Sequence, residues 1–387
     1  MSETQASPAL HATDWWSVAT VTVGIAVFAL AQGMTYPLIS LLLVEAGASD
    51  LVVGLNAAAF MAGLATSVLV VPALAQRLRA GQAIVAGLVG AAIFLIGFTL
   101  TDSLLAWFIL RFALGFCVNA IYVFGEAWLN AATADAVRGR VSGLYGAGMT
   151  GGFALGPLAI PLLGTDNGLA FAACAAIVSL AAFGLAIMSR RAKVEPAKLT
   201  LADLPRFFRA APLLLLLVLG FGFVDGIVLA LAPLHLIGGG ASVAAAATFV
   251  AVMHIGMILA QPFLGLLLDR WDRWRVATGC LAATGLLFGL LIVVPATSAW
   301  VWPLGALGGA AFFGIYTSAL ALLGREHGGA MLVAGASAFS LAYATGGVIG
   351  PAATGLLAEF VPGAIFVPVA LLGIVGAALL FWRRWNV

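Results

Sequence analysis

Residues 211–237 read APLLLLLVLGFGFVDGIVLALAPLHLI, a run whose one formal charge is Asp225. Roughly 20 apolar residues in a helix cross a hydrocarbon core of about 30 Å. A membrane β-strand would instead alternate polar and apolar positions in segments of about ten. Leu213–Gly222 does not alternate, so the run reads as a transmembrane helix.

Working outward, the same reading applies near 17–43, 52–75, 82–101, 104–130, 141–164 and 168–189, and again near 243–268, 276–295, 299–323, 332–357 and 361–382. With 211–237 as the seventh, these make twelve spans. The bulk composition agrees: 63% hydrophobic, 8% charged, mean hydropathy +1.15. Soluble domains carry about 25% charged residues, so this chain has too little polar surface to face water. The fold class expected is an all-α membrane protein.

Basic residues collect in loops on the cytoplasmic side of bacterial membrane proteins. Placing both termini there puts Arg77, Arg79, Arg138, Arg140, Arg190, Arg191, Lys193, Lys198, Arg206 and Arg209 in cytoplasmic segments, with Arg270, Arg273, Arg275, Arg325, Arg383 and Arg384 from later turns. The opposite loops hold only acids, Glu45, Asp50, Asp102, Asp166 and Glu359. The expected location is the inner (plasma) membrane. The net charge of +2 then reflects orientation, and nothing suggests a nucleic-acid surface. The polar start, Met1–Asp14, lacks the basic region of a cleaved signal, so the first helix serves as the insertion signal. Cys117, Cys174 and Cys280 stand singly in apolar spans, without disulfide or metal spacing.

The stretch 190–210 is the longest polar one between spans, and it divides the chain into a tail 1–16, a half 17–189, a linker 190–210, a half 211–382 and a tail 383–387. Landmarks recur across it at a near-constant offset. Gly156-Pro157 returns 194 positions later as Gly350-Pro351; Gln76-Arg77 and Gln32-Gly33 return 193 later as Asp269-Arg270 and Asp225-Gly226. Two six-helix pseudo-repeats around a central cavity are expected.

On these residues the chain resembles the major facilitator superfamily over nearly its whole length. Gly265-x-x-x-Asp269-Arg270-x-x-Arg273-x-Arg275 looks like that family's signature loop; the first-half copy keeps Arg77 and Arg79 but has Pro72 and Gln76 in place of the glycine and the acid. Arg111-x-x-x-Gly115 is similar to its span-4 signature, and Gly152-x-x-x-Gly156-Pro157 to its antiporter motif. Glu126-Ala-Trp128-Leu129-Asn130 followed by Arg138-Gly-Arg140 is similar to a bacterial branch of it. The resemblance implies parallel halves, spans 1, 4, 7 and 10 around the solute path, and antiport. It also implies that the turns after spans 2 and 8 (Arg77, Gly265, Asp269, Arg270, Arg273) and the bent, closely packed Gly152, Gly156, Pro157, Gly350 and Pro351 act as gates.

Formal charges inside spans are few: Arg111, Glu126 and Asp225. Each costs about 2.5–3.5 kcal/mol at bilayer depth and normally faces a wet cavity or a partner. At about 100° per residue, Arg111, Gly115, Asn119, Tyr122 and Glu126 form one polar stripe on span 4. An ion pair or a clamp on loop arginines is the plain alternative for Arg111 and Glu126. Asp225, Glu126 and His254 are the candidates for proton exchange, weighed against simple interhelical hydrogen bonding. Arg111, Gln32, Tyr36, Asn119, Tyr122, Phe221 and Tyr316 are the candidates for the cavity wall, with Phe223, Phe312, Phe313 and Tyr343 as further rings.

No Gly-x-x-x-x-Gly-Lys phosphate loop occurs, and no cofactor or metal is called for. The expected function is alternating-access transport of a small solute, with proton-coupled efflux favoured. Proton symport or uniport of a metabolite is the alternative, followed by a non-transporting sensor or membrane enzyme. Clustered histidines or a serine with a base would favour an enzyme; neither is present. The expected partners are a small-molecule substrate, protons and the lipid bilayer, and the chain is expected to act as a monomer.

Overall fold

The computed structural model of the chain describes residues 13–134, 137–164, 168–189, 204–327, 329–361 and 363–385. The tail 1–12 and the linker residues 190–203, with Asp166, Arg190, Arg191, Lys193 and Lys198, lie outside them. The described residues form helices and turns without strands.

Twelve helices are long and apolar enough to cross a bilayer: α1 Trp15–Glu45, α2 Asp50–Leu74, α3 Ala80–Gly97, α4 Leu104–Ala132, α5 Arg138–Leu155, α6 Leu169–Met188, α7 Pro212–Ala230, α8 Val243–Arg270, α9 Arg273–Val293, α10 Val301–Glu326, α11 Gly329–Phe360 and α12 Val367–Trp385. The chain is a multi-pass membrane protein. Ser103, Ser242 and Asp272 cap α4, α8 and α9 by accepting from first-turn N–H groups. Such caps satisfy backbone donors that a helix leaves open where it meets the interface. Large apolar side chains such as Leu105, Leu180, Phe263 and Leu286 are exposed on the outside of the bundle, where the bilayer replaces water.

Two spans are less regular than the sequence suggests. α5 ends at Leu155 and continues as a 3₁₀ turn, Pro157–Ala159, and a short helix, Ile160–Leu163. Pro157 and Pro161 each lack the N–H that would continue the hydrogen-bond ladder, and the span tightens there into a 3₁₀ turn while Gly156, Ala159 and Ile160 keep right-handed helical backbone. In α11 the single Pro351 leaves the helix continuous. The seventh span divides at Leu231 into α7 and a separate turn of helix, Ala232–Gly238. There Pro233 has no N–H to offer the carbonyl of Leu229. The end of the expected linker is also helical, Leu204–Ala210.

The packing pairs recur. α1 rests on α5 and α6, α2 on α4, and α3 on α4 and α6; α7 rests on α11, α8 on α10, and α9 on α10 and α12. The two sets meet chiefly through α2 against α11 and α5 against α8. Glycines allow the closest contacts within each set. A Cβ on Gly63 or Gly115 would strike the backbone of Phe112 or Phe60, and one on Gly256 or Gly309 that of Ala306 or Met253. Each pair is a reciprocal contact, α2 with α4 and α8 with α10. The second pair lies 193 and 194 positions after the first. Gly152 and Gly156 seat α5 against Ala26 and Leu30 of α1, as Gly346 and Gly350 seat α11 against Leu219 and Phe223 of α7.

Because successive spans alternate in direction, the described arginines of the turns gather at one end of the bundle, here the basic end. Glu45, Asp50, Asp102 and Glu359 lie at the other, the acidic end, where no Lys or Arg occurs among the described residues. Toward the acidic end the sets are in close contact: Gly54 of α2 against Pro351 of α11, and Gly355 against Asp50 and Leu51.

Candidate functional site

Between the two sets lies a cavity of about 220 Å³, lined from α1, α2, α4, α5, α7, α8, α10 and α11. It gathers Gln32 and Tyr36 from α1, Asn119, Tyr122 and Glu126 from α4, Phe221 and Asp225 from α7, His254 from α8 and Tyr316 from α10. The three proton candidates and six of the seven wall candidates therefore share one space. Its lining toward the acidic end, Tyr36 and Leu229, is buried. Glu126, nearer the basic end of α4, is exposed, so the accessible part of the lining lies toward that end.

Arg111 is the exception. It is 1% exposed and does not line the cavity; Tyr36 stands between. Its guanidinium carbon lies 4.6 Å from the Tyr36 ring centre and 5.0 Å from that of Phe60. Ring faces attract a desolvated cation by about 2 kcal/mol. Nε and Nη1 have no hydrogen-bond partner, and no carboxylate pairs with the group among the described residues. The polar stripe of α4 is thus split by depth. Gly115 packs on α2, Arg111 sits behind the wall, and Asn119, Tyr122 and Glu126 form the wall itself. Glu126 does not clamp a loop arginine among the described residues.

Two hydrogen bonds define the wall. The Tyr122 hydroxyl donates to Oε1 of Gln32 at 2.8 Å, tying α4 to α1. The Tyr343 hydroxyl donates to a carboxyl oxygen of Asp225 at 2.6 Å, tying α11 to α7. Equivalent positions of the repeat, Gln32 and Asp225, thus each receive a tyrosine, but from different helices, and only one of them can carry charge. Thr150 and Ser340, also lining, donate to the carbonyls of Gly146 and Ala336 in their own helices. Several of the wall's hydroxyl donors are therefore taken up by the protein, while carboxyl oxygens and ring faces look into the space. Eight aromatic side chains line it: Tyr36, Tyr122, Phe153, Phe221, Phe313, Tyr316, Phe339 and Tyr343. Phe312, expected among them, is fully buried and packs against Phe221 and Phe288, and Phe223 does not reach the wall.

The gate candidates lie elsewhere. Arg77, Asp269 and Arg270 are exposed at the basic end and have no ion-pair partner among the described residues. Arg273 donates to the carbonyl of Ala321 at 2.7 Å. Gly265 faces open space. Gly152, Gly156 and Gly350 hold helices together within each set, Pro157 opens the 3₁₀ turn of the fifth span, and Pro351 meets α2 of the other set.

Sequence reasoning named Tyr343 only as one ring among several and missed its bond to Asp225. Two residues 118 positions apart carry no spacing signal. The available clue was the glycine row of α11, Gly346 and Gly350, which fits α7 and brings Tyr343 alongside.

Residues 21–351 match a family model described as Major Facilitator Superfamily. The chain is 25% identical over 339 residues to a Bacillus subtilis (strain 168) protein named Uncharacterized MFS-type transporter YfkF, covering 86% of either chain. A solved structure of the nucleoside transporter NupG is similar with a TM-score of 0.75, 15% identity, and 95% of this chain and 98% of that one covered. A bacterial homologue of the human lysosomal transporter Spinster, in an inward-facing and unoccupied conformation, is similar with a TM-score of 0.67, 14% identity and 95% of both chains covered. At these identities the structural likeness is one of fold.

Proposed function

The chain belongs to the Major Facilitator Superfamily, a family of secondary transporters and not of enzymes, and on that premise we propose that it exchanges a small organic cation with an apolar body against protons. The observation that carries this reading is the makeup of the cavity wall. Two carboxyl groups, Asp225 and Glu126, and eight aromatic rings line it, without a lysine or arginine. Ring faces attract cations, and a carboxylate offers them a counter-charge. A proton on the same carboxyl removes that counter-charge, so proton and cation exclude each other, and exclusion of this kind is what couples their opposite movements.

The halves 17–189 and 211–382 rock about the cavity as units, consistent with the recurrent pairings and with contacts between sets that include Gly54 against Pro351 and Gly355 against Asp50. With the basic end in the cytoplasm, the present state is open inward, loads solute there, and returns protons from outside. Asp225, positioned by Tyr343, is the principal exchanging group; Glu126 is the second. The gates are the Arg77 and Asp269-Arg270 turns, which meet when the basic end closes.

Reconstituted into proteoliposomes, the unaltered protein is expected to move a lipophilic cation when a pH gradient is imposed. Asp225→Asn should abolish the pH-driven movement and leave facilitated exchange. Undiminished pH-driven transport by that variant removes Asp225 from the mechanism.

A further inference from the structure

We infer that Nε2 of His254 is a hydrogen-bond acceptor that reads an N–H donor on the transported cation. The inference rests on the cation reading above and adds the chemistry by which one class of cation is preferred.

His254 lies on α8, is 4% exposed and lines the cavity. Its Nδ1 is 2.8 Å from the carbonyl oxygen of Val250, one turn earlier. A carbonyl can only accept, so Nδ1 carries the proton, and in a neutral imidazole the other nitrogen then holds a lone pair. No group among the described residues donates to that Nε2. The ring is also fixed in its plane. It stacks on Phe153 of α5, with centres 5.6 Å apart and an angle of 5° between planes. The lone pair therefore has one direction, set by a backbone bond on one side and by a ring from the other helix set.

Several other neutral groups of the wall are occupied, and the Nδ2 of Asn119, which has no partner, is a donor and not an acceptor. Tyr122 is engaged with Gln32, Tyr343 with Asp225, and the Thr150 and Ser340 hydroxyls with their own helices. The carboxylates' charge-assisted bonds to N–H do not depend on residue 254, and ring faces hold a quaternary ammonium as well as a protonated amine. A directed neutral acceptor does not: it gains a bond from N–H and meets only a methyl group on a quaternary nitrogen. His254 thus selects protonated primary, secondary and tertiary amines over permanently quaternary cations of the same shape.

The test is equilibrium binding of phenethylammonium and phenethyltrimethylammonium to purified protein, unaltered and as His254→Phe and His254→Gln. The phenylalanine keeps a flat ring against Phe153 and lacks the acceptor; the glutamine restores an acceptor. The unaltered protein should favour the ammonium by at least about tenfold, the size of one hydrogen bond to a charged donor. His254→Phe should lower that preference by about tenfold with quaternary binding unchanged, and His254→Gln should recover part of it. With ¹⁵N-histidine, the Nε2 resonance of the unaltered protein should move on adding phenethylammonium and stay in place with the quaternary compound. A preference undiminished in His254→Phe, or an Nε2 resonance indifferent to the ammonium, overturns the inference and leaves the cation reading standing. Failure of both compounds to bind the unaltered protein overturns the cation reading, and the inference with it.

Discussion

Arg111 keeps a charge inside the bilayer with two of its nitrogens unbonded, held by the faces of Tyr36 and Phe60 rather than by an acid. Replacing a buried charge with an apolar side chain of similar size is often neutral or stabilising. Arg111→Leu should therefore leave the thermal unfolding midpoint in detergent unchanged or higher. The same variant should lose pH-driven transport by at least about tenfold, because its charge sets the field behind the wall that carries Asp225 and Glu126. A lower midpoint would make Arg111 a clamp. The sequence marked this arginine by its cost in a span, and marked Asp225 and Glu126 the same way, while His254 stood out as a titratable ring within a span. What it could not supply was depth. Position on a helix wheel gives an azimuth, and whether a side chain reaches the wall or stops one layer behind it depends on what α1 and α2 place in front. Tyr36 and Phe60 decide that for Arg111, and neither bears any sequence relation to it.

Among helices, the glycines sort into two kinds. Gly115 touches the backbone of α2 through a space no side chain fits, so Gly115→Leu should push α4 away and cost more than the about 1–3 kcal/mol typical of overpacking, read as a lower unfolding midpoint or loss of folded protein. Gly265 faces open space in this state. Gly265→Leu should fold with a stability change within about 0.5 kcal/mol. If its turn packs when the basic end closes, as proposed, transport by that variant should nevertheless fall severely. Full transport by Gly265→Leu would show that no close approach occurs there. The spans themselves were legible to within a few residues, because an apolar run about as long as the bilayer is thick has few alternatives. The divisions at Gly156 and Leu231 were not. A proline's missing N–H weakens a helix at a known place, but whether the helix bends or parts depends on neighbours, and in α5 a second proline one turn later decides it.

At the scale of the molecule, the proposed motion brings the exposed turns after α2 and α8 together while the α2–α11 contacts at the acidic end separate. Spin labels at Arg77 and Arg270 should give a distance distribution that moves to shorter values when the solute-free protein is shifted from neutral to acidic pH in lipid nanodiscs, since proton loading permits the return of the empty carrier. A distribution indifferent to pH and to solute would argue against movement of the sets as units. The native thiols Cys117, Cys174 and Cys280 are free and need removal before labelling. The duplicated plan was legible as matched dipeptides, and the reciprocal glycine contacts repeat at the same offset. The cavity's contents were less so, since a wall assembled from eight helices is a property of the assembly and of no single stretch of chain.

The interruption after Leu155 gives the bundle unequal compliance. One seam between the sets, α2 on α11, joins two uninterrupted rods, while the other, α5 on α8, includes a jointed one. Torque between the sets would then be absorbed mostly at residues 156–161, so the swing should be lopsided, with one flank serving as a stiff pivot and the other as a yielding strap.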